Sequence, residues 1–350
     1  MAAYTTIDNP ELFYQTELFT GNASTGHAQT LDGSEDMQPD MVWFKNRDST
    51  DVPSIYDAVR GATKRLVVTS TAVESDQVNG LQSFNSDGFT VGGNAECNET
   101  GEKIVAWCWK AGTTSGLSGG SITPDAYSFN ATSGFSIVKF EGNGTVGATV
   151  AHGLGAVPKA IIIKGTDLYA NNWQVYHVGA GNLGNLVLNN DDAFADDDSR
   201  WNDTTPTSTV WTMGSGATVN YNGRTFVAYV WADVQGFSKC GSYEGNANTD
   251  GTFIYTGFRP ALVIIKNIDG SSMGWTIRGK GLNPFNPADG HIVANTTAAE
   301  ASGKDIDILS NGFKARTTDG GVNGSGNTHV YMAFAEQPFV NSNGVPNNAR

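Results

Sequence analysis

The residues best suited to chemistry in this chain are acids. Asp191, Asp192, Asp196, Asp197, Asp198 and Asp203 crowd into NNDDAFADDDSRWND at 189–203. Hard carboxylate oxygens at this density are what Ca²⁺ selects. The first five are the candidate ligands. The stretch is not an EF-hand, because no Gly stands at the sixth loop position and no Glu at the twelfth. The competing reading is a solvated acidic loop. Four tryptophans, Trp173, Trp201, Trp211 and Trp275, offer flat rings that could stack on a sugar, and the alternative for each is a place in the core. Gly179-Ala180-Gly181-Asn182-Leu183-Gly184 matches G-x-G-x-x-G. Dinucleotide binding needs a helix after that motif, and NLVLNNDD reads as a strand and a polar turn. A loop between strands is expected there. His27, His152, His177, His291 and His329 lie far apart with no metal-site spacing, and no G-x-S-x-G elbow occurs. Carboxylate pairs for glycoside hydrolysis need a defined separation, and so many loop acids single out no pair. No catalytic constellation emerges, and the expectation is a protein that is not an enzyme.

Whole-chain properties narrow the partners. The formal net charge is −14, and gripping phosphates needs clustered Lys and Arg. Nucleic acid and anionic membrane surfaces are therefore not expected partners. No apolar run approaches eighteen residues, so no membrane insertion is expected. The opening MAAYTTIDNPELF has neither a basic n-region nor an apolar h-region, so no secretory signal is read. Cys97, Cys108 and Cys240 are odd in number and lack metal spacing. With a turn centred on Thr100 and Gly101, Cys97 faces Ile104 rather than Cys108. Free thiols, folded in a reducing cytoplasm, are the expectation.

The elements that would position these residues are written three times. QPDMVWFKN at 38–46, VPKAIIIKG at 157–165 and RPALVIIKN at 259–267 each place a Lys six residues after a Pro. An aromatic and a Gly-Asn turn precede each copy, at Phe19 to Asn22, Phe140 to Asn143 and Tyr243 to Asn246. Short extended segments follow, SIYD at 54–57, WQVYH at 173–177 and WTIR at 275–278. Each unit closes on a strand, KIVAWCW at 103–109, RTFVAYVW at 224–231 and HVYMAFA at 329–335, aligning Ala106, Ala228 and Ala333. At the acidic loop of the second unit, the others have STAVESD (70–76) and TTAAEAS (296–302), with far fewer carboxylates. The pattern is triplication of a unit of about a hundred residues, a length at which a unit can hold its own core.

Alternating strands, short β-branched apolar runs and turn signals such as NSDG, YNG and NGSGN define an all-β chain of three tandem β-sandwich domains of similar topology. The expected boundaries are 1–111 for the first repeat, 112–133 for a flexible Gly/Ser-rich linker, 134–235 and 236–340 for the second and third repeats, and 341–350 for a flexible tail. The Pro-initiated strand should be central, with both faces covered. A weak helix is allowed only near Ile55 to Arg65. Lys45, Lys164 and Lys266 end apolar runs, so each stem should lie on apolar surface with its ammonium in water. On that reading Lys266→Met shifts stability only slightly, and the functional alternative is contact with an anionic receptor.

At these landmarks the chain resembles a known group. The Thr-Gly-Asn turn, the QPD and RPA strands, YTGFRP (255–260), DAVRGATK (57–64), SDGF (86–89), SNGF (310–313), VAWCWKAG (105–112) and YMAFAEQPF (331–339) are similar to repeat domains in virion proteins of tailed bacteriophages. Many of these come from aquatic hosts and are described as tail fibre or structural proteins. The resemblance runs from about Phe13 to Phe339 and carries no catalytic residues. It implies a short tail fibre or tail-tip protein that contacts the host surface. The alternatives are a capsid decoration or head-fibre protein and, less favoured, a spike component that binds or degrades carbohydrate. Implied partners are other phage tail or capsid proteins, a host-surface glycan or protein, and the chain itself as a homotrimer with aromatic residues at its interface. The implied location is the virion, tail rather than capsid, after folding in the host cytoplasm.

Overall fold

A computed structural model describes residues 4–168 and 170–349; Arg350, the end of the expected tail, and residues 1–3 of the first repeat lie outside the described residues. The first unit follows a 3₁₀ turn, Pro10–Leu12. Its strands are β1 (Tyr14–Thr20), β2 (His27–Gln29), β3 (Met41–Asn46), β4 (Ser54–Asp57), β5 (Gly61–Val67), β6 (Ser75–Asp76), β7 (Leu81–Phe84), β8 (Phe89–Val91) and β9 (Lys103–Trp109), with a helical turn α1 (Ala95–Asn98) before the last. The second unit holds β10 (Ala126–Asn130), β11 (Phe135–Glu141), β12 (Ala148–Ala151), β13 (Pro158–Gly165), β14 (Gln174–His177), β15 (Gly181–Val187), β16 (Ala195–Asp196), β17 (Val210–Met213) and β18 (Thr225–Ala232), with turns α2 (Asp198–Trp201) and α3 (Ala217–Asn220). The third holds β19 (Ser238–Glu244), β20 (Phe253–Tyr255), β21 (Phe258–Asn267), β22 (Thr276–Gly279), β23 (Ile292–Val293), β24 (Ile306–Leu309), β25 (Gly312–Ala315) and β26 (Thr328–Pro338), with α4 (Gly320–Asn323) before the last.

The chain is all-β, and one order of pairing recurs. The main sheets run β1-β9-β3-β4-β5-β6, then β11-β18-β13-β14-β15-β16 with β10 added at the edge, then β19-β26-β21-β22-β23. Smaller sheets, β2-β8-β7, β12-β17 and β20-β25-β24, cover one face of each. The repeated Pro strand is β3, β13 and β21, central in every main sheet. A continuous apolar run suits a strand covered on both faces, and Met41 to Asn46 are all buried. The ladder is irregular at Pro158 and at Pro260, where proline has no N–H to give.

The two faces serve different cores. Val42 and Phe44 of β3, with Ile104, Ala106 and Cys108 of β9, point into the first sandwich. Ile161 and Ile163, with Phe226, Ala228 and Val230, do the same in the second. The alternate residues Met41, Trp43, Trp107 and Trp109, and Ile162, Tyr229 and Trp231, instead join a single core shared with the third unit. Trp109 meets Trp231 at 6.3 Å and Phe334 at 5.5 Å between ring centroids. These three occupy the same ladder position, facing Met41, Ala160 and Leu262 of the Pro strands.

The units close into a ring. Glu74 N–H donates to Thr166 O, Phe194 N–H to Ile268 O, and Glu300 N–H to Arg47 O, each at 2.8 Å. The acceptors are the second residue after each repeated Lys, so one contact is made three times around an approximate threefold axis. Indoles lock two of the three junctions: Trp173 Nε1 donates to Val67 O at 3.2 Å and Trp275 Nε1 to Val187 O at 2.9 Å. At the junction of the third and first units the Arg47–Glu300 ion pair, 2.6 Å, stands instead.

Four expectations change. Tyr331, not Ala333, is the partner of Ala106 and Ala228, because Phe44↔Ala106, Ile163↔Ala228 and Ile265↔Tyr331 are the matching pairs. A slip of two residues preserves the in–out alternation and so leaves no mark on the pattern. Residues 112–133 are not a loose linker: Thr113 and Phe129 pair, β10 extends the second sheet, and Ile122 is buried. The expected tail is tied down, with Ser342 N–H on Asp8 at 2.6 Å and Asn347 Nδ2 on Pro338 O at 2.8 Å. No helix forms between Ile55 and Arg65. β4 and β5 turn there instead, through Gly61 at φ +111°, a value that suits only glycine well.

A buried asparagine explains the Gly-Asn turns. Asn98, Asn220 and Asn323 end α1, α3 and α4, and each Oδ1 accepts the N–H of Asn22, Asn143 or Asn246 at 2.9 Å. Their amides donate in pairs to backbone carbonyls, for Asn220 those of Thr145 (2.9 Å) and Gly214 (3.1 Å). The preceding Gly21, Gly142 and Gly245 leave no room for a Cβ, which would strike the carbonyls of Glu99, Tyr221 and Gly324. Asn220→Ala removes a partner from three backbone groups, the buried Gly214 O and the partly buried Asn143 N–H and Thr145 O. It should cost roughly 2–4 kcal/mol in urea unfolding; a change under about 0.5 kcal/mol would show that the asparagine does not hold the turn.

Candidate functional site

The residues proposed from sequence separate in space. Asp191 offers its backbone carbonyl to Lys266. Asp192 pairs with Asn190, and Asp196 sits in β16 opposite Gly184. Asp197 caps α2 through Ser199 N–H at 3.0 Å and bridges to Arg200 at 3.0 Å, while Asp198 is the exposed first residue of that turn. Among the described residues no group of three or more His, Cys, Asp or Glu is placed to hold a metal ion.

All four tryptophans are inside. Trp173, Trp201, Trp211 and Trp275 are at most 2% exposed, so none presents a face to a sugar in solvent. Trp201 packs on Tyr176 and Trp211 on Phe140 within the second sandwich. Gly179 and Ala180 lie in the turn between β14 and β15, and Gly181, at φ +86°, to Gly184 begin β15. The three cysteines are free and buried. Burial lowers His152, His177 and His291 to about 4, so these imidazoles are neutral at pH 7.

The repeated lysines overturn the expectation made for them. Lys45, Lys164 and Lys266 have no exposed surface. Lys45 Nζ donates to Asn46 O (2.6 Å) and Ser49 O (3.0 Å), Lys164 Nζ to Asn171 O, and Lys266 Nζ to Met273 O (2.5 Å) and Asp191 O (3.1 Å). Burial pulls each down to about 8. The reason is the loop that follows each strand: it supplies the carbonyls that hold the ammonium, and for Lys266 the second unit adds Asp191 O. Lys266→Met therefore leaves two partly buried carbonyls, those of Met273 and Asp191, without a donor. It should lower stability by about 2 kcal/mol in chemical unfolding; an unchanged midpoint would return the ammonium to solvent.

The first junction carries the densest polar network. Asp57 Oδ2 accepts from Tyr229 OH at 2.7 Å and pairs with Arg60 Nε at 2.5 Å, and Arg60 Nη1 reaches Glu74 at 3.0 Å. Tyr229 and Asp57 are fully buried. A carboxylate, a guanidinium and a phenol stand together, but each is spent on holding two units.

Arg278 is the exception to this economy. It is wholly buried, and its Nε and both Nη atoms have no partner among the described residues. Burial lowers the guanidinium to about 10 against the pull of Tyr243 and Asp319. Register places it where the other units have Tyr56 and Tyr176. Uncompensated buried charge is destabilising, and replacing it with a well-packed neutral side chain commonly stabilises. Arg278→Tyr should raise the melting midpoint by at least about 2–4 °C; a lower midpoint would mean that the guanidinium has a partner in the folded protein.

The outer surface holds two open clefts of note. One, of about 500 Å³, lies between the chain ends and is lined by Asp8, Glu11, Lys280 and Glu336 among others. The second, of about 410 Å³, opens where the second unit passes into the third and is edged by Tyr4, Asp233, Gln235, Lys239 and Tyr255. Neither was visible as a motif. The signal for the second was the alternation of Phe253-Ile254-Tyr255, whose outer residues are 45% and 46% exposed around a buried Ile.

Residues 9–338 match the family described as Domain of unknown function (DUF7483). The chain belongs to this family. The match spans all three units, so the DUF7483 region is the whole ring and not one sandwich of it. No curated protein and no solved structure matches the chain. Among the described residues no helix is long and apolar enough to cross a membrane.

Proposed function

We propose that this protein is a non-enzymatic structural component of a bacteriophage virion, in a short tail fibre or tail tip that contacts the host surface. The observation that carries the reading is where the thrice-repeated polar residues go. Lys45, Lys164 and Lys266, and Asn98, Asn220 and Asn323, are all buried and bonded to backbone. The polar groups common to the units build a rigid scaffold, and the units also differ in their surface loops and clefts. Such a division suits a binding protein whose recognition varies while its core does not. The motifs shared with phage virion repeat domains support the same role.

The approximate threefold axis favours a second reading, a capsid decoration or head-fibre protein. One chain with three similar flanks can sit on a threefold or quasi-threefold position of a lattice without a symmetry mismatch. Homotrimerisation through aromatic residues remains part of the tail reading, although Trp109, Trp231 and Phe334 are already spent within one chain. Immunogold labelling of intact virions tests the proposal: label at the tail tip supports the first reading, label over the head the second. Absence of the chain from purified virions would refute both.

A further inference from the structure

We infer that the cleft between the second and third units is a binding site for a neutral saccharide. The inference rests on the adhesion role proposed above and gives it a place on the molecule. The cleft's aromatic element is held rigidly. Tyr255 OH and Tyr4 OH share a hydrogen bond of 3.0 Å, and Tyr4 OH donates to Gly257 O at 2.9 Å. Gly257, at φ +88°, permits that approach, because a Cβ there would crowd the Tyr4 hydroxyl. Lys239 Nζ lies 5.3 Å from the Tyr255 ring centroid and donates to Tyr255 O at 2.9 Å. The ring is thus fixed while 46% of the residue stays exposed, an arrangement that reduces the ordering cost of binding.

The polar groups around the ring include both donors and acceptors. Asp233 uses Oδ1 to accept Cys240 N–H at 2.8 Å, and its other oxygen has no partner among the described residues. The Gln235 side chain is exposed, and its backbone carbonyl is held by Thr5 Oγ1 at 2.7 Å. Lys239 has donors left over after its one bond to Tyr255 O. A pyranose presents an apolar C–H face ringed by hydroxyls that donate and accept. A fixed tyrosine beside a carboxylate, an amide and an ammonium matches it on both counts. The volume, about 410 Å³, lies in the ~300–1,000 Å³ range of small-ligand sites rather than that of a protein interface. A net charge of −14 weighs against an acidic sugar.

The test is saturation-transfer NMR on the full chain with methyl β-galactoside, methyl α-glucoside and N-acetylglucosamine, each at millimolar concentration. At least one should receive saturation on its ring protons. Tyr255→Ala should weaken that sugar by about tenfold, a loss of roughly 1.4 kcal/mol. Gln235→Ala, at an exposed side chain, should also weaken it. Phe285→Ala, at an aromatic 77% exposed elsewhere on the third unit, should leave it unchanged. Transfer to none of the three sugars overturns the inference, as does transfer that persists in both cleft variants. Virion labelling is independent of this result, so a chain found at the tail tip that binds no sugar would retain its proposed role and lose this site.

Discussion

The structure depends on one packing arrangement: the back faces of three β-sheets bury one another. A sandwich needs only one covered face per sheet, and the other is usually left to water. Here Trp43, Trp107, Trp109, Ile162, Tyr229, Trp231 and Phe334 fill those second faces and join one core. Each large side chain so buried contributes roughly 1.5–3 kcal/mol, whereas the ion pairs at the junctions, partly or wholly buried, lose much of their attraction to the desolvation of both charges. The shared core, not the salt bridges at the junctions, therefore decides how the units sit.

From that core the polar features follow. The lysines at the ends of β3, β13 and β21 are out of contact with solvent and bond to carbonyls, of the following loop in each unit and also of the second unit for Lys266. The backbone at each junction must pair across it, as Glu74, Phe194 and Glu300 do. Differences between the junctions mark where the symmetry is imperfect. Pro53 precedes β4 where Trp173 and Trp275 precede β14 and β22, and an indole bond is missing from that junction as a consequence. The two clefts of the outer surface lie where chain ends and connections meet, one between the two ends of the chain and one where the second unit passes into the third.

Much of this was legible in the sequence, for reasons that also explain what was missed. Continuous apolar runs announced central strands covered on both faces, and β3, β13 and β21 are such strands. What covers the second face could not be read, because alternation reports that a residue is buried and not against what. Trp173 and Trp275, more readily core than sugar platforms, could therefore not be assigned to either until their neighbours were known. Lys45, Lys164 and Lys266 looked like solvent-seeking strand ends for the same reason. Ala333 was aligned two residues out of register because a slip of two keeps every residue on its own face. Glycine and serine at 112–121 suggested a flexible linker, yet the sheet edge beside it gave β10 a partner. The cleft at Tyr255 joins residues from three separate stretches, Tyr4, 233–239 and 255–257, and only the folded chain brings them together.

A single core shared by three units should melt as one. Differential scanning calorimetry of the full chain tests this most directly, by comparing the calorimetric enthalpy with the van't Hoff enthalpy of the same transition. The shared core predicts one transition with the two enthalpies equal. Two or three resolved transitions, or a calorimetric enthalpy several times the van't Hoff value, would show three sandwiches that fold independently and would contradict the account.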